Sequence, residues 1–190
     1  MAKRKQAGKK KTARGGALSD AMGKALNGQI NEELFSGYLY LSMSACFAAK
    51  SLNGIASWFR AQALEEQIHA SKIFDFILER GGQVQLDAIK KPQISWDSPL
   101  EAFQAALAHE QHITECINDL VGQAEEHKDY ASKVFLDWFV NEQVEEEDTA
   151  QGIVDQLELI GDNGYGLLML DRELGQRAFV MPPADGEAGA

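Results

Sequence analysis

Apolar side chains recur every three to four residues along four long stretches of the chain, the spacing of one helical face. Ser19 or Asp20 can cap the first helix, which the pattern carries to about Ala49. A turn, "SLNG" at 51–54, separates it from a second helix that runs to about Arg80 and stops at Gly81-Gly82. Residues 83–98 break the pattern, with Pro92 inside them, and "QVQL" there is too short to carry a sheet. Ser98-Pro99 then opens a third helix reaching about Glu125. The polar turn "EEHKD" leads to a fourth, ending near Ile160, and "GDNG" precedes a short last helix over roughly 165–174. Short first and third connections make helices one and two antiparallel, and likewise three and four. The middle connection, about 16 residues, reaches roughly 50 Å when extended. A second helix of about 27 residues is only roughly 40 Å long. The expected architecture is therefore all-α: a four-helix bundle with one long crossover and a short fifth helix.

Each apolar face is interrupted by acid. In heptad steps the first helix presents Leu26, Ile30, Glu33, Gly37, Tyr40 and Ser44, and the second Phe59, Gln62, Glu66, His69, Ile73 and Phe76. The third presents Phe103, Leu107, Glu110, Thr114, Ile117 and Leu120; the fourth presents Phe135, Phe139, Gln143, Glu146, Ala150, Ile153 and Leu157. Glu33 lies 17 residues before Lys50, and His69 lies 15 after Gly54. At helical rise both stand roughly 23–26 Å from the first turn. Glu110 lies 16 residues before Glu126, and Glu146 lies 17 after Asp129. These stand roughly 24–26 Å from the second turn. The four acids should meet near mid-bundle, where carboxylates repel strongly and stay ionised only around cations. Oxygen ligands with one imidazole suit a pair of first-row metal ions, iron above all. The i, i+3 spacing of Glu66 and His69 lets one ion take both.

Composition adds an asymmetry. Of 190 residues, 45% are hydrophobic and 25% charged, the balance of an ordinary globular protein. No run of 18 apolar residues suggests a membrane span. The N-terminus lacks the apolar stretch of a secretory signal, so a cytoplasmic location is expected. Cys46 and Cys116 form no CxxC and read as two reduced core thiols. The net charge is −11, yet residues 1–18 hold seven of the 18 Lys/Arg and none of the 29 acids. The remainder, with 11 bases against 29 acids, carries −18. Three segments follow: a basic, disordered 1–18, a folded domain over 19–175, and a disordered 176–190.

The stretches "LNGQINEELFSGYLYLSMS", "WFRAQALEEQIHASKIFDFILERGG", "HEQHITECINDL" and "FLDWFVNEQVEEE" together resemble a bacterial or archaeal non-haem ferritin over roughly 20–175. The resemblance implies a ferritin-like fold and a ferroxidase centre. One iron would be bound by Glu33, Glu66 and His69, and a second by Glu110 and Glu146, with Glu66 bridging. Gln143 falls where the family keeps a glutamine beside the second iron, and Tyr40 where a tyrosine borders the centre. Glu65, Glu142 and Glu145 would form a third iron site. The implied activity is oxidation of Fe(II) by O2 or H2O2, with ferric oxyhydroxide stored in a 24-subunit cage whose fourfold axes are lined by the last helix. The fourth helix lacks the second E-x-x-H of many di-iron relatives: Glu146 is followed three residues later by Thr149. That departure, with Met43 read as core, means no haem is expected. Glu147 and Asp148 read as a solvated face, His109, His112 and His127 as surface or packing residues, and Trp58, Trp96 and Trp138 as packing.

The basic segment lies outside the resemblance. Short Lys/Arg-rich arms bind DNA or other polyanions by releasing counterions, and many copies on a cage would add avidity. A DNA-protecting cage is thus the second functional reading. A solubility or assembly role, a targeting segment, and a di-iron peroxidase without storage stay open beside it.

Overall fold

The computed structural model describes residues 17–177 and shows five helices in that span. They are α1 Asp20–Ala49, α2 Asn53–Glu79, α3 Pro99–Glu126, α4 Tyr130–Ile160 and α5 Gly164–Leu174. No strand occurs among the described residues, so the all-α reading stands. The basic segment through residue 16 and the chain from 178 onward lie outside the described residues. Leu18, assigned to that segment by sequence, donates its N–H to Arg80 O and packs on the bundle.

The caps follow the side chains. Ser19 Oγ accepts from Met22 N, and Ser98 Oγ accepts from Glu101 N with Pro99 opening α3. Asp129 accepts from Ser132 N at the start of α4, and Asn163 from Tyr165 N and Gly166 N at α5. Arg80 closes α2 by a two-pronged pair with Asp129, at 3.0 and 3.2 Å, which ties the end of α2 to the start of α4.

The first turn differs from expectation. Its left-handed residue is Ser51 (φ 63°), and Asn53-Gly54 already lie inside α2. Gly54 is needed for a different reason. A Cβ there would meet Asp171 O of α5 at 1.6 Å, so glycine permits α5 to dock on the start of α2.

The crossover runs along α1. Asn27 donates to Gln83 O and accepts from Gln85 N, Asn31 reaches Asp87 O, and Ser42 Oγ donates to Gln93 O. The chain therefore returns to the end of the bundle where α2 began, and α3 runs parallel to α2. The interior divides into two apolar clusters. One stacks Phe47, Phe59 and Phe103 with Trp58 and Trp96; the other gathers Ile30, Ile73, Ile117 and Phe139. Each such side chain contributes about 1.5–3 kcal/mol on burial. Between the clusters lies a layer of buried polar groups.

Candidate metal centre

All four helices supply that layer. Glu33, Glu66, Glu110, Gln62, Gln143 and His69 are each at most 5% exposed. Glu33, Glu66 and His69 offer ligand atoms within 4.8 Å of one another. His69 Nδ1 stands 3.4 Å from Glu66 Oε2 and 3.9 Å from Glu33 Oε2. The one-turn offset of Glu66 and His69 on α2, facing Glu33 on α1, makes this triad. Close approach of α1 to α2 is permitted by Gly37, where a Cβ would lie 3.2 Å from Ala63 O and 3.5 Å from Glu66 Cβ.

The other two acids stand on the α3–α4 side and are held differently. Tyr40 donates its hydroxyl to Glu110 Oε1. Gln143 Nε2 lies 3.2 Å from Glu110 O and 3.3 Å from Glu110 Oε2. Half-buried Glu146 accepts from Gln62 Nε2 at 2.7 Å. Gln29, one turn before Glu33, donates to Glu33 Oε1 at 2.9 Å. These donors are neutral. Glu33 Oε2 is buried with no hydrogen-bond partner, and an orphaned carboxylate oxygen is expensive unless a cation meets it.

Electrostatics agree. Burial, then the charge of Glu66, pushes Glu33 up to about 8. Burial and the Glu110 and Glu146 charges raise Glu66 well above the usual range. Burial raises Glu110, and burial with the Glu110 charge takes Glu146 to about 7. Tyr40 is raised by burial and by Glu110. Without metal these groups hold protons that a cation would displace. Their carboxylates and one imidazole make a hard, oxygen-rich set fit for iron.

Of the remaining candidates, Glu65 and Glu142 are partly buried and Glu145 is exposed. Glu65 pairs with Arg177 at 2.5 Å. Burial raises Glu142, and the charges of Glu145 and Glu65 add to the rise. Glu147, expected on a solvated face, is half-buried and accepts from Thr114 Oγ1 at 2.5 Å. His109 packs edge-on against Phe35 and Tyr40 and sits 2.8 Å from Ser36 Oγ; burial lowers it to about 4. Trp138 packs edge-on against His69. Gln29 and Gln62 were not singled out by sequence, although each lies four residues before a glutamate of the layer.

A ferritin-like domain model matches residues 23–160. Bacterial non-heme ferritin of Bacteroides fragilis is 42% identical over 160 residues, covering 84% of this chain and 99% of that protein. Bacterial non-heme ferritin of Campylobacter jejuni is 43% identical over 155 residues, covering 82% and 93%. Among solved structures, an open pore ferritin from the hyperthermophilic archaeon Archaeoglobus fulgidus is 49% identical. It superposes with a TM-score of 0.85 over 85% of this chain and 100% of that one.

Proposed function

Because the chain belongs to the non-haem ferritin family of iron-storage proteins, we propose that it is a ferroxidase that stores the iron it oxidises. Its substrate is Fe(II), each ion giving one electron to O2 or H2O2, and its product is ferric oxyhydroxide held in a shell of 24 subunits in the cytoplasm. One iron would be held by Glu33, Glu66 and His69. The other would be held by Glu110 and Glu146, with Glu66 between the two and Gln143 and Tyr40 bordering. Glu65, Glu142 and Glu145 would take a third.

The observation that carries this reading is the buried Glu33–Glu66–His69 triad with an unpartnered carboxylate oxygen. Gln29 and Gln62 orient Glu33 and Glu146, while Gln143 and Tyr40 orient Glu110. Carboxylate ligands favour Fe(III) over Fe(II) and so promote oxidation. The acidic body draws cations toward the centre.

Aerobic Fe(II) addition to metal-free protein tests the reading, followed by ferric absorbance and particle size. Fast oxidation with iron kept in a large particle is expected, and Glu66→Ala/His69→Ala should abolish the fast phase. Wild-type oxidation no faster than the double variant's would overturn the assignment.

A further inference from the structure

Arg177 makes an interaction that the oxidation chemistry leaves unused. Its backbone is fixed just past α5, where Arg177 N donates to Leu174 O at 3.2 Å. The helix itself is pinned to α2: Ile55 N donates to Asp171 Oδ1 at 2.9 Å, at the close approach that Gly54 allows. From there the side chain reaches Glu65, with Nη2 at 2.5 Å from Oε2. The guanidinium lies 4.8 Å from the centroid of buried Trp58. A residue 112 positions away thus sets a cation on the acid next to Glu66.

The placement has an energetic consequence. Glu65 is adjacent to Glu66 on α2, and Arg177 covers one of its carboxylate oxygens. A guanidinium on Glu65 offsets the charge of that carboxylate locally. The pair is about a quarter exposed, 26% for Arg177 and 22% for Glu65, so its hold is modest. Stacking on Trp58 adds a cation–π contribution that the planar guanidinium makes well. Arg177 Nη1, however, is buried with no hydrogen-bond partner, which weakens the docked state. Such a cation is held firmly enough to occupy the carboxylate and loosely enough for a multivalent ion to remove.

We propose that Arg177 is a tethered competitor for metal at Glu65: it occupies that carboxylate in the metal-free protein and is displaced when an ion binds Glu65, Glu142 and Glu145. The proposal rests on the reading of those three acids as a third iron site. It makes that site the last to fill, and release of the guanidinium from Trp58 accompanies filling.

The test uses Tb(III) as the probe on the metal-free full chain, read by tryptophan-sensitised luminescence. Arg177→Gln removes the cation, Arg177→Met removes it while keeping an apolar stem on Trp58, and Arg177→Lys keeps a charge. Glu65→Gln/Glu142→Gln/Glu145→Gln removes the site. Arg177→Gln and Arg177→Met should both tighten the weakest class of Tb(III) sites by roughly three- to tenfold, leaving the tightest class unchanged. Arg177→Lys should stay nearer wild type, and in wild type alone tryptophan emission should shift as the weak class fills. Equal weak-class affinity in wild type, Arg177→Gln and Arg177→Met would overturn the competition, leaving Arg177 as a structural tie. Undiminished Tb(III) stoichiometry in the triple variant would instead overturn the third-site reading itself.

Discussion

In the metal-free protein Glu33 keeps its proton up to about pH 8, and Glu146 up to about 7. A cation bound by these carboxylates must expel those protons, so affinity should climb as pH rises through that range. Calorimetric titration with Zn(II) at pH 7, in two buffers of different ionisation enthalpy, should show at least one proton released per subunit. Heats identical in the two buffers would contradict this. The same shift governs stability. Between its ordinary 4.5 and about 8, Glu33 binds a proton in the folded chain and not in the unfolded one. Its contribution is full below 4.5 and is lost as pH rises toward 8. Metal-free Glu33→Gln should therefore lose less melting temperature than wild type between pH 6 and pH 9; equal losses would contradict the Glu33 shift. The acids of this layer were legible because each broke an apolar stripe at a common height. Gln62 was not, since a neutral amide in a stripe gives no charge to explain, and Gln29 falls outside the stripe read for the first helix. Glu147 was misplaced because it lies one residue beyond Glu146, off the stripe, and only the reach of Thr114 turns it inward.

At the scale of the elements, Gly54 is the sharpest joint. A methyl group there cannot coexist with Asp171 O at 1.6 Å, so α5 must lift from α2. Gly54→Ala should leave the four long helices intact while amides of 164–174 exchange much faster in hydrogen-exchange mass spectrometry. Unchanged protection of α5 would show that the docking is not set by this contact. Gly37→Ala meets Ala63 O at 3.2 Å and moves α1 against α2 beside Glu66. It should cost about 1–3 kcal/mol in chemical denaturation, as overpacking does, and weaken metal binding at Glu33, Glu66 and His69. Helix starts were readable at Ser19 and at Ser98-Pro99, where capping chemistry is written in side chains, whereas the caps Asp129 and Asn163 were hidden within polar turns. The turn at 51–54 misled because Asn-Gly is ordinary turn chemistry, and here Gly54 serves a contact with a helix more than a hundred residues away. The length of the crossover gave its direction. Its anchoring on Asn27, Asn31 and Ser42 was invisible, because each bonds to backbone groups that carry no sequence signal.

Over the whole molecule, charge is divided between a body of −18 and seven cations in residues 1–18. Among the described residues no helix is long and apolar enough to cross a membrane. The body alone should repel nucleic acid, so any binding must come from the basic arms. A single arm with seven cations binds a polyanion weakly and loses most of its affinity between low and physiological salt. Arms repeated over the proposed shell would act together, and avidity can exceed single-arm affinity by about 100-fold or more. The full chain should therefore retard duplex DNA in a gel at low salt and release it as salt rises. Removing residues 1–16, which takes all seven cations but keeps Leu18 on the bundle, should abolish the shift while leaving particle size and Fe(II) oxidation unchanged, since the candidate centre and its supporting helices begin beyond that segment. Equal mobility of DNA with and without the full chain at low salt would eliminate polyanion binding. Loss of the large particle on truncation would assign the arms to assembly instead.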